Sequence, residues 1–270
     1  MSNFRPQQGV SAPPPGVDPA VPHSPRVWNY WLGGEDHYPA DREAGERVRS
    51  MYPGISDYAR ANRAFLGRAV RLAVGGGVRQ FLDIGAGLPT ADNTHQVAQR
   101  AAPEARVVYV DNDPLVLAQS GPLLTSTPEG ATAYVTGDLH DPEAVLRAAS
   151  RTLDLTRPVA VLLLSVMMFT ADDAEAYGII RRLMNGLAPG SHLILSHTVT
   201  GPGWEDMDAA VTSWNEVGTP KLKQRTPSAI SGFFTGLDLL PPGIVSCTHW
   251  RPDGEPGPEV AMFCGVGRKP

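Results

Sequence analysis

Short apolar runs alternate with amphipathic stretches from about residue 79 to the end of the chain. The apolar runs have the length of buried strands, and the amphipathic stretches repeat with the period of a helix. This alternation predicts parallel strands joined by right-handed helical crossovers. The first five strands are predicted at Gln80–Ile84, Arg106–Val110, Ala131–Thr136, Val159–Leu164 and His192–Ser196.

The residues before position 79 follow a different pattern. Residues 1–24 are rich in proline, glutamine and serine, which predicts a disordered or loosely packed arm. Residues 25–78 predict a helical N-terminal extension of three helices, and residues 79–270 the main domain. In the first helix of the extension, Trp28 and Trp31 are typical of a packing surface.

The same helix and the residues that follow it also suggest a lid over a pocket. In that interpretation Tyr30 and His37 would reach reacting groups, and Tyr30 and Tyr38 would line a substrate pocket. The pattern alone does not decide between a packing helix and a lid, because an aromatic stripe at helical spacing is usually part of a core.

The first predicted strand runs into a glycine turn, Gly85-Ala86-Gly87. Glycine allows a backbone to pass close to a ligand and to adopt dihedral angles that other residues avoid. Asp111 ends the second strand, 24 residues after Gly87, which is about the spacing at which a carboxylate meets a ribose diol. These residues, with Asn112 beside them, predict a site for a nucleoside-containing cofactor.

Two cofactor classes are compatible with this turn. A dinucleotide-binding turn would have glycine at position 90, where Thr90 stands, and that glycine permits close packing beneath a pyrophosphate. Asp83 lies two residues before the first glycine and favours S-adenosylmethionine, because this cofactor carries an ammonium and a sulfonium group but no phosphate. We therefore expect S-adenosylmethionine rather than a nicotinamide cofactor.

Four further residues are candidates for the same site. Arg63, in the extension, could bind a cofactor carboxylate through two guanidinium nitrogens, or lie on a solvated helix face. Asp138 follows the third strand and could accept a hydrogen bond from the adenine amino group while Leu139 packs on the ring; a turn residue is the alternative. Ser165 follows the fourth strand, at the edge where ligands bind to such sheets.

Two more strands are predicted near the C-terminus, at about residues 244–248 and 260–266. The segment between them is rich in proline and glycine, which favours an antiparallel hairpin. A parallel sheet closed by such a hairpin suits a methyltransferase better than a six-stranded dehydrogenase domain. We therefore predict an α/β fold with a Rossmann-like class I methyltransferase sheet of seven strands, of which the last hairpin is antiparallel.

The composition narrows the range of partners. A net charge of −5 and a pI near 5.8 argue against a nucleic-acid-binding surface. The longest apolar run, Val159–Phe169, is too short to span a membrane, and no signal-peptide pattern opens the chain, so we expect a cytoplasmic protein. Cys247 and Cys264 are expected to be buried reduced thiols rather than a disulfide or metal ligands.

Several blocks of the chain together resemble an actinobacterial family of S-adenosylmethionine-dependent methyltransferase-like proteins, formerly catalogued as a domain of unknown function. The blocks are Arg26–Gly34, Asn62–Phe65, Phe81–Thr90, Val108–Pro114, Leu187–Gly190 and Leu195–His197. The resemblance runs from about residue 24 to the end of the chain. It implies the class I methyltransferase fold and its cofactor, and it matches the usual binding positions of that fold to Asp83, Gly85, Gly87, Asp111 and Asp138.

The chain departs from this family at three places. Members tend to have aspartate at the position of Asn29 and a Lys-Asp-Asn-like run at residues 35–37, and they often have histidine at the position of Met168. We place Met168 in the substrate pocket. If the histidine of other members is a base, this chain lacks it.

Methyl transfer requires a base only when the nucleophile must lose a proton. The candidates are His197 at the end of the fifth strand, Tyr30 and His37, although His197 could equally be a capping or core residue. No metal site is predicted.

We thus expect a methyltransferase that acts on a small-molecule acceptor. One alternative is a sensor or partner protein that binds S-adenosylmethionine or S-adenosylhomocysteine without turnover. A less favoured alternative is a nicotinamide oxidoreductase. The apolar extension could also pair two subunits in a homodimer.

Overall fold

The strands form one mixed sheet in this computed structural model, which describes residues 13–123 and 125–270. They are β1 (Gln80–Ile84), β2 (Arg106–Asp111), β3 (Ala131–Thr136), β4 (Ala160–Leu164), β5 (His192–Thr198), β6 (Asp238–Leu239), β7 (Val245–Ser246) and β8 (Met262–Arg268). Their order is β3-β2-β1-β4-β5-β8-β6, and β7 also pairs with β8. The first five strands are parallel, and β8 runs antiparallel to β5, β6 and β7.

The central strands are apolar on both faces because helices cover the sheet on both sides. All residues of β1 and all but the last of β4 are buried. The predicted α/β fold and its antiparallel C-terminal strand are confirmed. The hairpin differs in detail, because its first strand is only two residues long and β6 supplies a further two-residue strand that the sequence did not indicate.

The described residues form nine α-helices and a short 3₁₀ turn at Met167–Phe169. The helices are α1 (Ser24–Trp31), α2 (Pro39–Met51), α3 (Ile55–Gly75), α4 (Thr94–Ala101), α5 (Pro114–Leu123), α6 (Pro142–Ala149), α7 (Asp173–Asn185), α8 (Glu205–Val217) and α9 (Pro227–Gly232). Asp141, Asp172 and Thr226 cap three of them, each accepting a hydrogen bond from the backbone three residues later.

The extension is part of the core rather than a separate layer. Helix α3 contacts α4, β4, β5 and β8, and its residues Phe65 and Ala69 are fully buried. Near its start, the hydroxyl oxygens of Tyr58 and Thr198 lie 2.6 Å apart and join α3 to the end of β5. A moving lid built from the whole extension would therefore expose the sheet.

The described part of the N-terminal arm is attached to the domain. The guanidinium group of Arg26 donates hydrogen bonds to the backbone carbonyls of Asp18 and Val21 and pairs at 3.1 Å with the fully buried Asp41. Val17 packs on a small apolar cluster formed by the turn after β1 and the start of α5. Residues 13–24 thus contact the domain. The disordered or loosely packed arm at residues 1–24 stays a prediction, and residues 1–12 lie outside the described residues.

Candidate cofactor site at the carboxyl edge of the sheet

A cavity of about 330 Å³ lies at the carboxyl ends of β1, β2 and β4. The turn after β1, the end of β2 and the loop after β4 form its floor, and α1 and α3 form its walls. This is the edge at which ligands bind to sheets of this topology. Its size is in the range of pockets for small molecules and cofactors.

The glycine turn shapes the floor of this cavity. Gly85 and Gly87 both have left-handed backbone angles, with φ of +74° and +65°, which favour glycine. A side chain on Gly85 would also place its Cβ 2.6 Å from Val166 in the loop after β4. A Cβ on Gly87 would meet nothing within 4 Å, so open space lies above the turn at this position. Ala86 lines the cavity between the two glycines.

Asp111 ends β2 directly beside the turn. Its Oδ2 accepts a hydrogen bond of 3.0 Å from the Gly87 backbone, and its Oδ1 accepts one of 2.9 Å from the Asp113 backbone. Burial raises the pKa of the Asp111 carboxyl above its ordinary value, although these backbone N–H groups oppose the shift. Each oxygen keeps a lone pair for a further donor, so the carboxylate can accept from two neighbouring hydroxyl groups.

Asp83 is buried at the end of β1 beneath the cavity. Burial raises its pKa to about 6, although the hydroxyl of Thr94 donates a hydrogen bond of 2.6 Å to its Oδ2 and the Arg63 guanidinium lies near. A cationic ligand above Asp83 would stabilise its charged form. A positively charged ligand at this place would therefore offset the cost of burying the Asp83 carboxylate.

Arg63 reaches the cavity from α3. Its Nη2 donates hydrogen bonds to the backbone carbonyls of Ala91 (3.1 Å) and Asp92 (2.9 Å), which hold the guanidinium group beside the glycine turn. Burial lowers the pKa of Arg63 below its ordinary value, and Asp83 opposes this shift. Its other nitrogens have no hydrogen-bond partner among the described residues and can bind an anionic group.

Ser165 follows β4 with a left-handed backbone, φ +57°, which is uncommon for a residue other than glycine. The Asn62 amide donates a hydrogen bond of 3.1 Å to its hydroxyl. The Ser165 backbone donates to the hydroxyl of Ser196 at 3.1 Å, and that hydroxyl donates to the Asn62 amide oxygen at 2.7 Å. This buried network fixes an unusual backbone at the cavity wall, as is typical of functional sites.

Comparison with known proteins identifies the family of the chain. The sequence model of the family described as S-adenosyl methyltransferase matches residues 11–270. The chain belongs to the S-adenosyl methyltransferase family. The cofactor of this family is S-adenosylmethionine, as the sequence predicts.

Two solved structures are similar over almost the whole chain. A protein of a family of unknown function from Streptomyces avermitilis is 43% identical, with 93% of this chain and 98% of that chain covered and a TM-score of 0.86. A protein from Thermobifida fusca, described as a candidate methyltransferase, is 37% identical, with 96% and 99% covered and a TM-score of 0.87. Both come from actinobacteria, in agreement with the resemblance noted in the sequence.

A more distant structure shares the fold alone. Human N-acetylserotonin methyltransferase, solved with S-adenosylmethionine, is 14% identical, with 84% of this chain and 57% of that chain covered and a TM-score of 0.50. No curated protein matches the chain.

The groups around the cavity fit the chemistry of S-adenosylmethionine. The carboxylates of Asp83 and Asp111 would suit its cationic groups and ribose hydroxyls, and the cation of Arg63 would suit its carboxylate. The open space above Gly87 leaves room for a ligand close to the backbone. Asn112 also lines the cavity.

Asp138 and Leu139 do not line this cavity. The Asp138 carboxylate lies at the surface, where its Oδ1 accepts hydrogen bonds from the backbone (2.9 Å) and ring Nδ1 (2.7 Å) of His140. These bonds lower the pKa of Asp138 below its ordinary value. Leu139 is buried in the core. Asp138 thus lies in a turn outside this cavity, and its predicted contact with adenine stays a prediction.

Tyr30 on α1, and His37 and Tyr38 just before α2, do not line the cavity. The Tyr30 hydroxyl donates a hydrogen bond to Glu46, and its ring meets the ring of His37 edge-on at 5.0 Å. The ring of Tyr38 lies under the Arg26 guanidinium at 5.1 Å. The structure therefore places none of the three near the predicted cofactor or substrate pocket.

His197 is fully buried and also lies outside the cavity. Its Nδ1 is 2.8 Å from the carbonyl oxygen of Thr198 and therefore carries the proton. Its Nε2 then accepts a hydrogen bond of 2.8 Å from the Arg225 guanidinium. Burial lowers the pKa of His197 to about 4. Both ring nitrogens of His197 are thus engaged by the protein, and its role as a base stays a prediction.

Met168 lines a second, apolar cavity of about 30 Å³. Trp31, Tyr58 and Trp214 also line it, and Ser24 and Trp28 line both this cavity and the cofactor cavity. Met168 is thus one wall away from the predicted cofactor site.

Sequence reasoning missed the residues that two loops bring to the cavity. The Ser24 backbone donates to the Thr219 carbonyl at 3.2 Å, and the Thr219 backbone donates to the Pro22 carbonyl at 3.2 Å. This pairing places His23 and Pro220 in the cavity wall. No local pattern indicates a contact between segments so distant in the chain.

Among the described residues, no helix combines the length and the apolar character that crossing a membrane requires. No group of three or more histidine, cysteine or acidic side chains in the described ranges is placed to bind a metal ion.

Proposed function

We propose that the protein binds S-adenosylmethionine in this cavity and transfers its methyl group to a small-molecule acceptor that binds beside α1. The observation that carries the proposal is the make-up of one continuous cavity. It joins the polar floor formed by Gly87 and Asp111 to a wall of Trp28 and Phe169. A cofactor and a second, less polar molecule can therefore meet in one enclosed space.

The polar part of the cavity suits the cofactor. We assign the ribose hydroxyls to Asp111, since both of its oxygens retain accepting capacity. The carboxylate of the cofactor is assigned to Arg63, whose free nitrogens lie beside the glycine turn. Asp83 would stabilise the cationic end of the cofactor from below. Thr94 and Arg63 only partly offset the cost of burying its charge.

The apolar part of the cavity suits the acceptor. Trp28, Leu32, Phe169 and Pro220 supply flat or apolar surfaces, and Asn29 supplies an amide. The Asn29 Oδ1 accepts a hydrogen bond of 2.9 Å from the Asp36 backbone, so its amide nitrogen remains free to donate. This combination favours an aromatic acceptor with a polar substituent.

The protein positions the acceptor and excludes water from the site. The cofactor supplies a methyl group on a positively charged sulfur, which a nucleophile can attack in line without further activation of the methyl group. The protein must hold the acceptor against that methyl group and keep water from the site. The enclosed wall formed by α1 and the paired loops at residues 22–24 and 219–220 serves this purpose.

Calorimetric titration tests the proposal. We expect S-adenosylmethionine and S-adenosylhomocysteine to bind and NAD not to bind. The cofactor-saturated protein should then transfer tritium from methyl-labelled S-adenosylmethionine to members of a panel of small aromatic acceptors. Binding of NAD in place of the two sulfur compounds would contradict the cofactor assignment. Tight cofactor binding without transfer to any acceptor class would favour a sensor instead.

A further inference from the structure

A histidine and an aspartate form a pair in the wall of the cofactor cavity. His23 immediately precedes α1, and Asp113 immediately precedes α5. The Nδ1 of His23 lies 2.8 Å from the Oδ2 of Asp113. Both residues line the cavity, and the side chains are 33% and 7% exposed. The pair thus combines an accessible imidazole with a buried carboxylate.

The carboxylate of Asp113 is fixed in position and charge. Its Oδ1 accepts a hydrogen bond of 2.7 Å from the Leu115 backbone at the start of α5. Burial alone would raise the pKa of Asp113, but the hydrogen bonds from His23 and Leu115 outweigh it and lower the pKa below its ordinary value. A carboxylate at Nδ1 keeps the proton on that nitrogen, so the lone pair of the neutral ring is on Nε2.

The Nε2 atom of His23 is available to a ligand. It has no hydrogen-bond partner among the described residues. It is also not one of the buried side-chain atoms that lack a partner, because it is not itself buried. The backbone that carries the ring is held firmly, because the His23 N–H donates a hydrogen bond of 2.9 Å to Asp41. The next residue, Ser24, is bonded to Thr219 on the opposite side of the cavity.

The other titratable groups of this region are less suited to take a proton from an acceptor. In the cavity, Asp83 and Asp111 belong to the cofactor end and Arg63 is a cation. The charged groups that face His23 are Asp113, which immediately precedes α5, and Asp41 of α2. Arg26 of α1 is paired with Asp41.

We propose that His23, oriented by Asp113, is the general base of methyl transfer, and that the acceptor is a hydroxyl or amine that loses a proton during attack. This inference rests on the proposed function. A lone pair of the acceptor oxygen or nitrogen forms the new bond to the methyl carbon, and the electron pair of the broken C–S bond returns to sulfur. The acceptor proton moves to Nε2 of His23. The Asp113 carboxylate stabilises the resulting imidazolium.

The arrangement also restricts the class of acceptor. A thiolate or a ring nitrogen with a free lone pair needs no base and would gain nothing from the His23–Asp113 pair. A phenol or an aromatic amine needs one, and either fits the aromatic wall formed by Trp28 and Phe169.

Nuclear magnetic resonance of the full chain with ¹⁵N-labelled histidine tests this assignment, with phenol as the probe. In the free protein, we expect the neutral form of the His23 ring to have its proton on Nδ1 and none on Nε2. In the S-adenosylhomocysteine complex, phenol should shift the His23 Nε2 resonance in a saturable manner. His249 is the internal control, because it is 34% exposed and has a carboxylate partner, Glu259 at 3.3 Å, outside the cavity.

The variant Asp113→Asn tests the orientation of the His23 ring without disturbing the folding of α5. Asparagine also caps helices, so α5 should remain intact, while the preference for the Nδ1 proton and the response to phenol should both weaken. The inference is overturned if the proton of the free protein is on Nε2. It is also overturned if phenol leaves the His23 signal unchanged in the complex. Failure of S-adenosylhomocysteine to bind would instead contradict the proposed function, since the position of the proton is measured without it.

Discussion

Replacement of Asp83 by asparagine should make the protein more stable while weakening its affinity for the cofactor. Asp83 is buried, and this burial raises its pKa from 3.8 to about 6. The folded protein therefore binds this proton more tightly than the unfolded chain does. As a result, stability falls as the pH rises from 3.8 to about 6, and the full cost is present above that range. Asparagine carries no charge and removes this cost.

The structure sets the size of the effect. One pKa unit corresponds to about 1.4 kcal/mol, so the shift from 3.8 to about 6 corresponds to about 3 kcal/mol at pH 8. At pH 5 the cost is about half of that, because the folded protein is then mostly protonated at Asp83. The side-chain oxygen of asparagine can still accept the hydrogen bond from Thr94, so that contact is retained.

Urea unfolding of the wild type and the Asp83→Asn variant at pH 8 and pH 5 measures this difference. We expect the variant to be more stable at both pH values, with a gain at pH 8 about twice that at pH 5. Titration with S-adenosylmethionine should show an affinity at least tenfold weaker, as expected for the loss of a charged partner worth about 1.5–3 kcal/mol. Asp138→Asn is the control, because the pKa of that exposed carboxyl is lowered and its removal should not stabilise the protein. A variant that is less stable than the wild type at pH 8, or a gain independent of pH, would refute the reasoning.

Three further changes test the packing around the site. Gly85→Ala should destabilise the protein by roughly 1–3 kcal/mol, because the new Cβ would lie 2.6 Å from a side chain of the loop after β4; Gly87→Ala, which meets no neighbour, should cost less in the same urea titration. Arg225→Met should lower stability by about 3–5 kcal/mol, since it removes a buried cation and leaves several hydrogen-bond acceptors unpaired; a loss below 1 kcal/mol would contradict this. Val211→Ile should fill the apolar cavity of about 30 Å³ and raise stability by about 0.8 kcal/mol, whereas Val217→Ile, on the exposed end of the same helix, should leave the unfolding midpoint unchanged.

The sheet and its cofactor edge could be predicted because they depend on local patterns. The run Val159–Leu164 can only be a strand buried on both faces, and it lies in the sheet as expected, beginning one residue later. The glycine turn and Asp111 were predicted to meet, and a hydrogen bond of 3.0 Å joins them. Each of these features is determined by residues on one strand or one turn.

The walls of the cavity could not be predicted in the same way. Tyr30 and His37 are close in sequence to Trp28, but Tyr30 contacts α2 and the His37 ring, whereas Trp28 lines the cavity. This orientation of α1 depends on its packing against α2, which includes the buried pair of Arg26 and Asp41, and no local sequence pattern shows it.

Long-range contacts also determine the surroundings of His197 and His23. His197 ends a strand at the ligand-binding edge, yet Arg225 from a later loop occupies its free nitrogen. His23 lies in a proline-rich arm without any motif, and only the pairing of that arm with Thr219 and Asp113 brings it to the cavity.

The most direct test of the central claim compares two aspartates at the ends of neighbouring strands. Asp111 follows β2 and lines the cavity, whereas Asp138 follows β3 and faces His140 at the surface. We predict that Asp111→Ala abolishes calorimetric binding of S-adenosylhomocysteine and that Asp138→Ala leaves the affinity within about twofold of the wild type. Unchanged affinity in the Asp111→Ala variant would contradict the assignment of this cavity as the cofactor site.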